Sequence, residues 1–270
     1  MATTIPVEPA TPCVPWWSGY AVSVPRHSMR SPQRLIVQGR QILDQCVTLT
    51  AEQQHYLYHV LRLKVGDELW ILDGQGQRWL GQIQGKTVKL LRPDCRETEL
   101  STEIILCLAL LKAANFEQVL QQATELGVKR IVPIQTARSL LQPSINKYQR
   151  WQRILQEAAE QSERLYVPAL SDPLSVAEMV SLTPKGYIAS LAAPELLWDC
   201  LPQMNLSEPI YLAIGPEGGW TASELEQVLA AGWQAVSLGR RTLRAVTAAI
   251  ASLSVVSHYA ERHCVSPQQH

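Results

Sequence analysis

The sequence predicts an α/β fold, a parallel sheet with helices on both faces, preceded by a small β-barrel. From Glu103 onward, strand-like and helical segments alternate along most of the remaining chain. The segment IILCLALL is a continuous apolar run, which is typical of a strand buried on both faces. Between Arg34 and Pro93, short runs of valine, leucine, isoleucine and tryptophan are separated by glycines. Strand–helix alternation implies a parallel sheet, because each crossover lays a helix against the sheet.

The barrel is predicted over residues 29–98, with one short helix near Ala51 to Leu61. Its part from Met29 to Pro93 contains nine arginines and lysines against five acidic residues. The whole chain has a formal net charge of zero, so this basic surplus is local. A local basic surface is compatible with contacts to phosphate groups.

Residues 1–28 carry five prolines and neither a helical nor an alternating pattern. This composition predicts a disordered or loosely attached leader. Two interpretations of it stay open, a genuine extension and a mis-assigned upstream start, because Met29 begins a segment that reads as a fresh protein start.

Residues 99–265 are predicted to form the α/β domain, with helices from Asn115 to Leu126 and from Tyr148 to Ser162. Asn115 is the expected cap of the first helix, and Gly127 is its expected stop. On the second helix, the glutamates and arginines favour ion pairs four residues apart. The residues concerned are Arg153, Glu157, Glu160 and Arg164.

Composition excludes several classes of protein. The 270 residues are 46% hydrophobic, enough for full cores, and no apolar run approaches the ~18 residues of a membrane helix. The six cysteines lie far apart, which indicates reduced thiols in a cytoplasmic protein. His55 and His59 lie four residues apart but lack a third ligand signal, so we expect no metal site. The cysteines are Cys13, Cys46, Cys95, Cys107, Cys200 and Cys264.

The stretch from Ile214 to Leu253 is the candidate ligand site. A strand ends at the turn Gly-Pro-Glu-Gly-Gly (215–219), and Thr221 with Glu224 predicts a capping box that opens a helix. A second strand, 235–238, runs into a glycine-bearing loop and another helix. Such strand ends form ligand crevices in open α/β sheets. The usual nucleotide motifs are missing from the strand ends, which disfavours common nucleotide folds.

Five stretches together resemble the bacterial 16S ribosomal RNA uridine N3-methyltransferases of the SPOUT superfamily. They are HYLYHVLRLKVGDEL, QQATELGV, RWQRILQEAAEQSER, IGPEGGWTASE and LGRRTLRAVTAA, in that order. The resemblance implies a PUA-like barrel that binds RNA and a SPOUT-type parallel sheet with a C-terminal trefoil knot. It also implies a homodimer and, as partners, ribosomal RNA or the small ribosomal subunit.

The resemblance further implies that S-adenosyl-L-methionine lies against backbone groups of the glycine loops, which only residues without a Cβ allow closely. Arg34, Arg62, Arg138 and Arg164 are the implied RNA contacts. The implied cofactor-binding residues are Gly215, Pro216, Glu217, Gly218, Gly219, Leu238, Gly239, Leu243, Arg244, Thr247 and Ala248.

The reaction that the resemblance implies is attack of uracil N3 on the sulfonium methyl group. The imide nitrogen must lose its proton, so the site needs a base or a cation that stabilises the uracil anion. Arg244 is the candidate for the second role. Its alternative is a surface arginine near a helix start, just as Arg34 and Arg62 have the alternative of solvated charges.

Two positions depart from the family pattern. Gln122 stands where the family usually has lysine, and Val246 where it usually has glutamate. Two alternatives to uridine N3 methylation therefore remain: a related methyltransferase with another RNA target, and a catalytically weakened RNA-binding or ribosome-assembly protein.

Overall fold

The protein is described here by a computed structural model that covers residues 33–139 and 143–263. The predicted leader, residues 1–28, and two of the cysteines, Cys13 and Cys264, lie outside the described residues. The described part contains two sheets, and each sheet has its own apolar core.

The first sheet is the predicted barrel, and its strand order is β1-β4-β5-β6-β3-β2. Strands β1 and β4 are parallel, and the other neighbours are antiparallel. Leu69, Ile71, Ile83 and Val88 fill its interior. The six strands are β1 (Gln33–Ile36), β2 (Ile42–Leu43), β3 (Cys46–Thr48), β4 (Glu68–Leu72), β5 (Arg78–Gln84) and β6 (Thr87–Pro93).

The short helix predicted in the barrel is present. Helix α1 (Ala51–His55) is capped by Thr50, whose hydroxyl accepts a hydrogen bond from the Gln53 amide. It continues into a π-helical turn, Tyr56–Val60. The backbone then turns sharply at Arg62, with φ of 57°.

The second sheet confirms the predicted parallel α/β architecture. Its order is β10-β8-β7-β12-β11-β13, and β9 pairs with β8; all pairs are parallel. The strands are β7 (Ile104–Ala109), β8 (Arg130–Gln135), β9 (Ala169–Leu170), β10 (Leu174–Ser175), β11 (Tyr187–Ala189), β12 (Ile210–Ile214) and β13 (Gln234–Val236). The helices are α2 (Ala113–Glu125), α3 (Ile145–Gln161), α4 (Val176–Val180), α5 (Leu197–Cys200), α6 (Ala222–Ala230) and α7 (Ala245–His263).

Both faces of this sheet are covered, as its continuous apolar strands require. On one face, the rings of Phe116 and Trp151 stack with centroids 4.2 Å apart, between α2 and α3. On the other, Val132 and Val228 pack beside Cys107. Burial raises the pKa of the Cys107 thiol to about 12, so the thiol stays protonated and packs as a small apolar group.

Two helix boundaries differ from the sequence prediction. Helix α3 begins at Ile145 after Ser144, whose hydroxyl accepts from the Lys147 amide. Helix α2 begins at Ala113, so Asn115 lies inside its first turn and is not the cap. The cap residue, Lys112, forms no side-chain capping bond, because its ammonium group has no acceptor, and its own amide donates to the Glu217 carboxylate.

The end of α3 joins the sheet domain to the barrel. The Glu160 carboxylate accepts a hydrogen bond of 2.7 Å from the Ile36 amide on β1. Glu163, with φ of 61°, pairs with Arg34 and Arg78 of the barrel. We call Arg34, Arg78, Glu160, Glu163 and Arg164 the domain junction. The predicted ion pair of Glu160 with Arg164 is wrong, because each side chain has a different partner.

Candidate cofactor and RNA site

The candidate site lies at the edge of the second sheet where its strands end. The loops after β7, β8, β11, β12 and β13 all leave this edge, because the strands are parallel. Parallel β11 pairs with both β12 and β13, which puts the end of β11 between the two glycine loops. This edge is where open α/β sheets bind ligands.

The turn at residues 215–219 needs its glycines for two different reasons. Gly219 has φ of 70°, and its amide closes the turn on the Pro216 carbonyl at 2.8 Å. At Gly215 a Cβ would lie 2.9 Å from Nε1 of Trp220, so a side chain would displace the indole. That indole in turn donates to the Ala189 carbonyl, at the end of β11, over 3.2 Å.

Glu217 ties the turn to the start of α2. Its Oε1 accepts from the Lys112 amide at 3.3 Å and from Nδ2 of Asn115 at 3.0 Å. Burial acts to raise the pKa of Glu217, but these hydrogen bonds, together with its own amide and the Lys112 charge, lower the pKa below its usual value. Glu217 is therefore ionised at neutral pH, at the helix end that favours negative charge.

The loop after β8 also contacts the turn at residues 215–219. Nη1 of Arg138 donates to the Gly218 carbonyl at 2.6 Å. The Ala137 amide donates to the Glu224 carboxylate at 2.7 Å. The same carboxylate accepts from the hydroxyl of Thr221, the cap residue of α6. Burial acts to raise the pKa of Glu224, whereas these hydrogen bonds and the charge of Arg138 lower it overall. The predicted Thr221–Glu224 capping box is confirmed.

The second glycine loop follows β13. Gly239 has φ of 109°, and its amide donates to the Ser237 hydroxyl at 3.2 Å. Leu238 is half-buried beside it. At the start of α7, Arg244 and Thr247 are exposed, whereas Leu243 and Ala248 are half-buried. The structure thus brings the predicted cofactor-binding segments to one edge.

The two departures from the family pattern have different surroundings. Val246 is half-buried and packs against the main apolar core, as its place on the apolar stripe of α7 indicates. Gln122 is half-buried on the last turns of α2, in the half of the helix away from the Glu217 contact.

The four predicted RNA contacts separate into three groups. Arg62 and Arg138 are exposed. Arg34 is partly buried and paired with Glu163. Arg164 is 3% exposed, and its guanidinium binds Glu99 at 2.6 Å and the Val128 carbonyl at 2.6 Å. The prediction that Arg164 clamps RNA is therefore wrong, because its guanidinium is buried and hydrogen-bonded within the protein.

Sequence reasoning missed the contacts of Asn115, Lys112 and Trp220. Their partners lie far away in the sequence, so no local sequence pattern predicts these contacts. Trp220 packs against the apolar cluster that contains Val228 of α6, and its indole nitrogen adds the hydrogen bond to Ala189.

Other sequence expectations concern metals and membranes. Across residues 33–139 and 143–263, no group of three or more potential ligands is placed to hold a metal ion. His55 and His59 are exposed and stack on each other with centroids 4.9 Å apart. No helix within the same ranges is both long and apolar enough to cross a membrane.

A parallel sheet with two glycine loops at one edge, preceded by a smaller mixed sheet, agrees with the predicted class of SPOUT RNA methyltransferases. Comparison with known proteins agrees: residues 98–257 match the model of the RNA methyltransferase domain, and residues 49–91 match that of the RNA methyltransferase PUA domain. The chain belongs to the ribosomal RNA small subunit methyltransferase E family.

Three relatives illustrate the similarity. The ribosomal RNA small subunit methyltransferase E of Synechocystis is 43% identical over 83% of this chain and 77% of its own length. The crystal structure of the Neisseria gonorrhoeae enzyme bound to S-adenosyl methionine has a TM-score of 0.77, at 27% identity over 84% of this chain and 98% of that one. A putative Legionella pneumophila methyltransferase with the same bound cofactor has a TM-score of 0.77, at 28% identity over 85% and 98%.

Proposed function

We propose that this protein transfers the methyl group of S-adenosyl-L-methionine to N3 of a uridine in the RNA of the small ribosomal subunit. The observation that carries the proposal is the pair of glycine loops at the same edge of the sheet. Two structures similar to this chain contain bound S-adenosyl methionine. We assign RNA binding to the barrel, residues 29–98, and methyl transfer to residues 99–265.

The glycine loops fit the cofactor. Gly219 and Gly239 both adopt positive φ, which side chains rarely allow, and the space beside each α-carbon is open. The residues that would hold the cofactor are Gly215, Pro216, Glu217, Gly218, Gly219, Leu238, Gly239, Leu243, Arg244, Thr247 and Ala248. When bound, S-adenosyl-L-methionine supplies an electrophilic methyl group.

The chain's own part in the reaction is to hold the uracil and to stabilise its anion. Uracil N3 loses its proton to solvent before the new nitrogen–carbon bond can form, and the negative charge spreads to the two carbonyl oxygens beside N3. Arg244 is exposed at the start of α7, next to the second glycine loop, where its guanidinium can donate to such an oxygen. Holding two reactants together contributes ~7 kcal/mol or more to catalysis.

The barrel supplies phosphate contacts. Arg62 is exposed at the end of the π-helical turn, and its left-handed backbone directs it away from the barrel core. We propose that Arg62 contacts RNA, and that Arg34 acts mainly through its pair with Glu163.

We also propose a cytoplasmic homodimer. An exposed apolar groove beside α7 supports the dimer: Trp198 is 66% exposed and lines it with Val255 and Tyr259. The four described cysteines are free, which suits a reducing compartment. Light scattering after size-exclusion chromatography tests the dimer, and a monomer at working concentration would contradict it.

Mass-spectrometric mapping of small-subunit RNA from cells that lack the gene tests the reaction. We expect loss of one N3-methyluridine, and we expect the purified protein with S-adenosyl-L-methionine to restore it. Persistence at normal stoichiometry, without a second gene copy, would contradict the proposal.

One observation favours a second candidate, a catalytically weakened RNA-binding protein. Val246 places an apolar side chain on the core where the family usually has a carboxylate. In calorimetry, absence of S-adenosyl-L-methionine binding would favour this second candidate over the enzyme.

A further inference from the structure

We propose that Arg138 and Glu217 are positioning residues, which hold the turn at residues 215–219 in its cofactor-binding shape, and that Arg138 does not act as an RNA clamp. The inference rests on the proposed function, in which that turn binds S-adenosyl-L-methionine. It assigns roles to two ionised side chains through contacts that the sequence does not reveal.

Arg138 contacts the turn from the loop after β8. Its Nη1 lies 2.6 Å from the Gly218 carbonyl, a distance typical of a strong, charge-assisted hydrogen bond. A Cβ at Gly218 would lie 3.2 Å from Cδ of Arg138, so the glycine lets the arginine side chain lie along the turn. The neighbouring amide of Ala137 fixes this loop to Glu224, at the start of α6.

Glu217 contacts the start of α2, in the loop that follows β7, the strand next to β12. Its carboxylate accepts from the amide of the cap residue, Lys112, and from the Asn115 side chain in the first turn of α2. Adjacent residues of one short turn are thus fixed to two different loops. Strand β7, which precedes α2, lies between β8 and β12, so the two contacts reach the turn from two successive strand ends.

The consequence is a preorganised turn. A glycine-rich turn has many accessible conformations, and a ligand that selects one of them binds more weakly by the populated fraction. Two side-chain contacts that restrict the turn therefore raise the affinity for a cofactor held by backbone groups. A guanidinium that is engaged in this way also has fewer donors free for a phosphate.

Titration calorimetry with S-adenosyl-L-methionine on the full chain tests the roles. We expect Arg138→Ala and Glu217→Ala each to weaken affinity about tenfold, as a lost charge-assisted hydrogen bond would. Glu217→Gln keeps an acceptor oxygen, so we expect it to restore most of the affinity. Arg150→Ala is the matched control, because Arg150 is exposed and pairs only with Glu117 among the contacts described.

Binding of the cofactor-free protein to small-subunit ribosomal RNA, measured across salt concentrations, separates the alternatives. We expect Arg138→Ala to leave RNA affinity and its salt dependence unchanged. Unchanged cofactor affinity with weaker RNA binding, and a salt slope smaller by about one, would overturn the inference in favour of an RNA clamp. Equal cofactor affinity of Glu217→Gln and Glu217→Ala would overturn the positioning role of Glu217. A wild-type protein without cofactor affinity would instead contradict the proposed function.

Discussion

The domain junction and the cofactor edge, which is the sheet edge with the turn at residues 215–219 and the loop after β13, both contain arginines and glutamates but differ in their exposure to water. At the junction, guanidiniums and carboxylates face each other and are largely withdrawn from water, as Arg164 with Glu99 illustrates. At the cofactor edge, Arg138 and Arg244 are exposed, and Arg138 donates to a backbone carbonyl. An arginine in a family motif therefore indicates either folding or binding, and its partners decide which.

The largest effect should come from removing the buried guanidinium. We expect Arg164→Ala to lower the free energy of unfolding by about 3–5 kcal/mol, because it leaves Glu99 without its cation and removes the Arg164 hydrogen bond to the Val128 carbonyl. Urea denaturation measures the change. Arg150→Ala removes an exposed pair and should cost less than about 1 kcal/mol. Equal losses in the two variants would contradict the distinction between buried and exposed arginines.

The next effect concerns the cofactor edge and catalysis. We expect Arg244→Ala to lower the rate of methyl transfer about a hundredfold, with a smaller change in cofactor affinity, because a donor to the developing anion is lost. Single-turnover kinetics and calorimetry give the two values. If cofactor affinity falls more than the rate, Arg244 acts through cofactor binding and does not stabilise the uracil anion.

The sequence predicted the architecture well, and the reason is physical. Strands β7 and β12 are apolar throughout or nearly so, and the Thr221–Glu224 capping box is a local signal. The four predicted RNA arginines were a different case. Their burial depends on residues distant in sequence, such as Glu99 beside Arg164, and a periodic pattern contains no information about such partners.

A smaller effect separates charge from backbone strain at the junction. Glu163 has φ of 61°, so replacing it with alanine removes its ion pairs while a side chain stays in the left-handed region. Replacing it with glycine removes the same pairs and relieves the strain. We expect Glu163→Gly to be more stable than Glu163→Ala by about 1 kcal/mol in urea denaturation. Equal stability would show that this backbone conformation carries little strain.

The smallest effect depends on pH and concerns Glu160. Burial raises the pKa of Glu160, and the hydrogen bonds from Ile36 and Gln156 only partly oppose this. The folded state therefore holds the proton more tightly than the unfolded state does, so this carboxyl makes the protein less stable as the pH rises from the usual carboxyl pKa through the raised one. Glu160→Gln keeps an acceptor for the Ile36 amide and has no charge to desolvate.

We accordingly expect Glu160→Gln to change the free energy of unfolding by less than about 1 kcal/mol near neutral pH. The difference between variant and wild type should shift in favour of glutamine as the pH rises from about 4 to about 7. Denaturation at both pH values measures that shift. A difference that is constant, or that shifts towards the wild type, would mean that the junction does not withdraw Glu160 from water, and the contrast with the exposed cofactor edge would then rest on Arg164 alone.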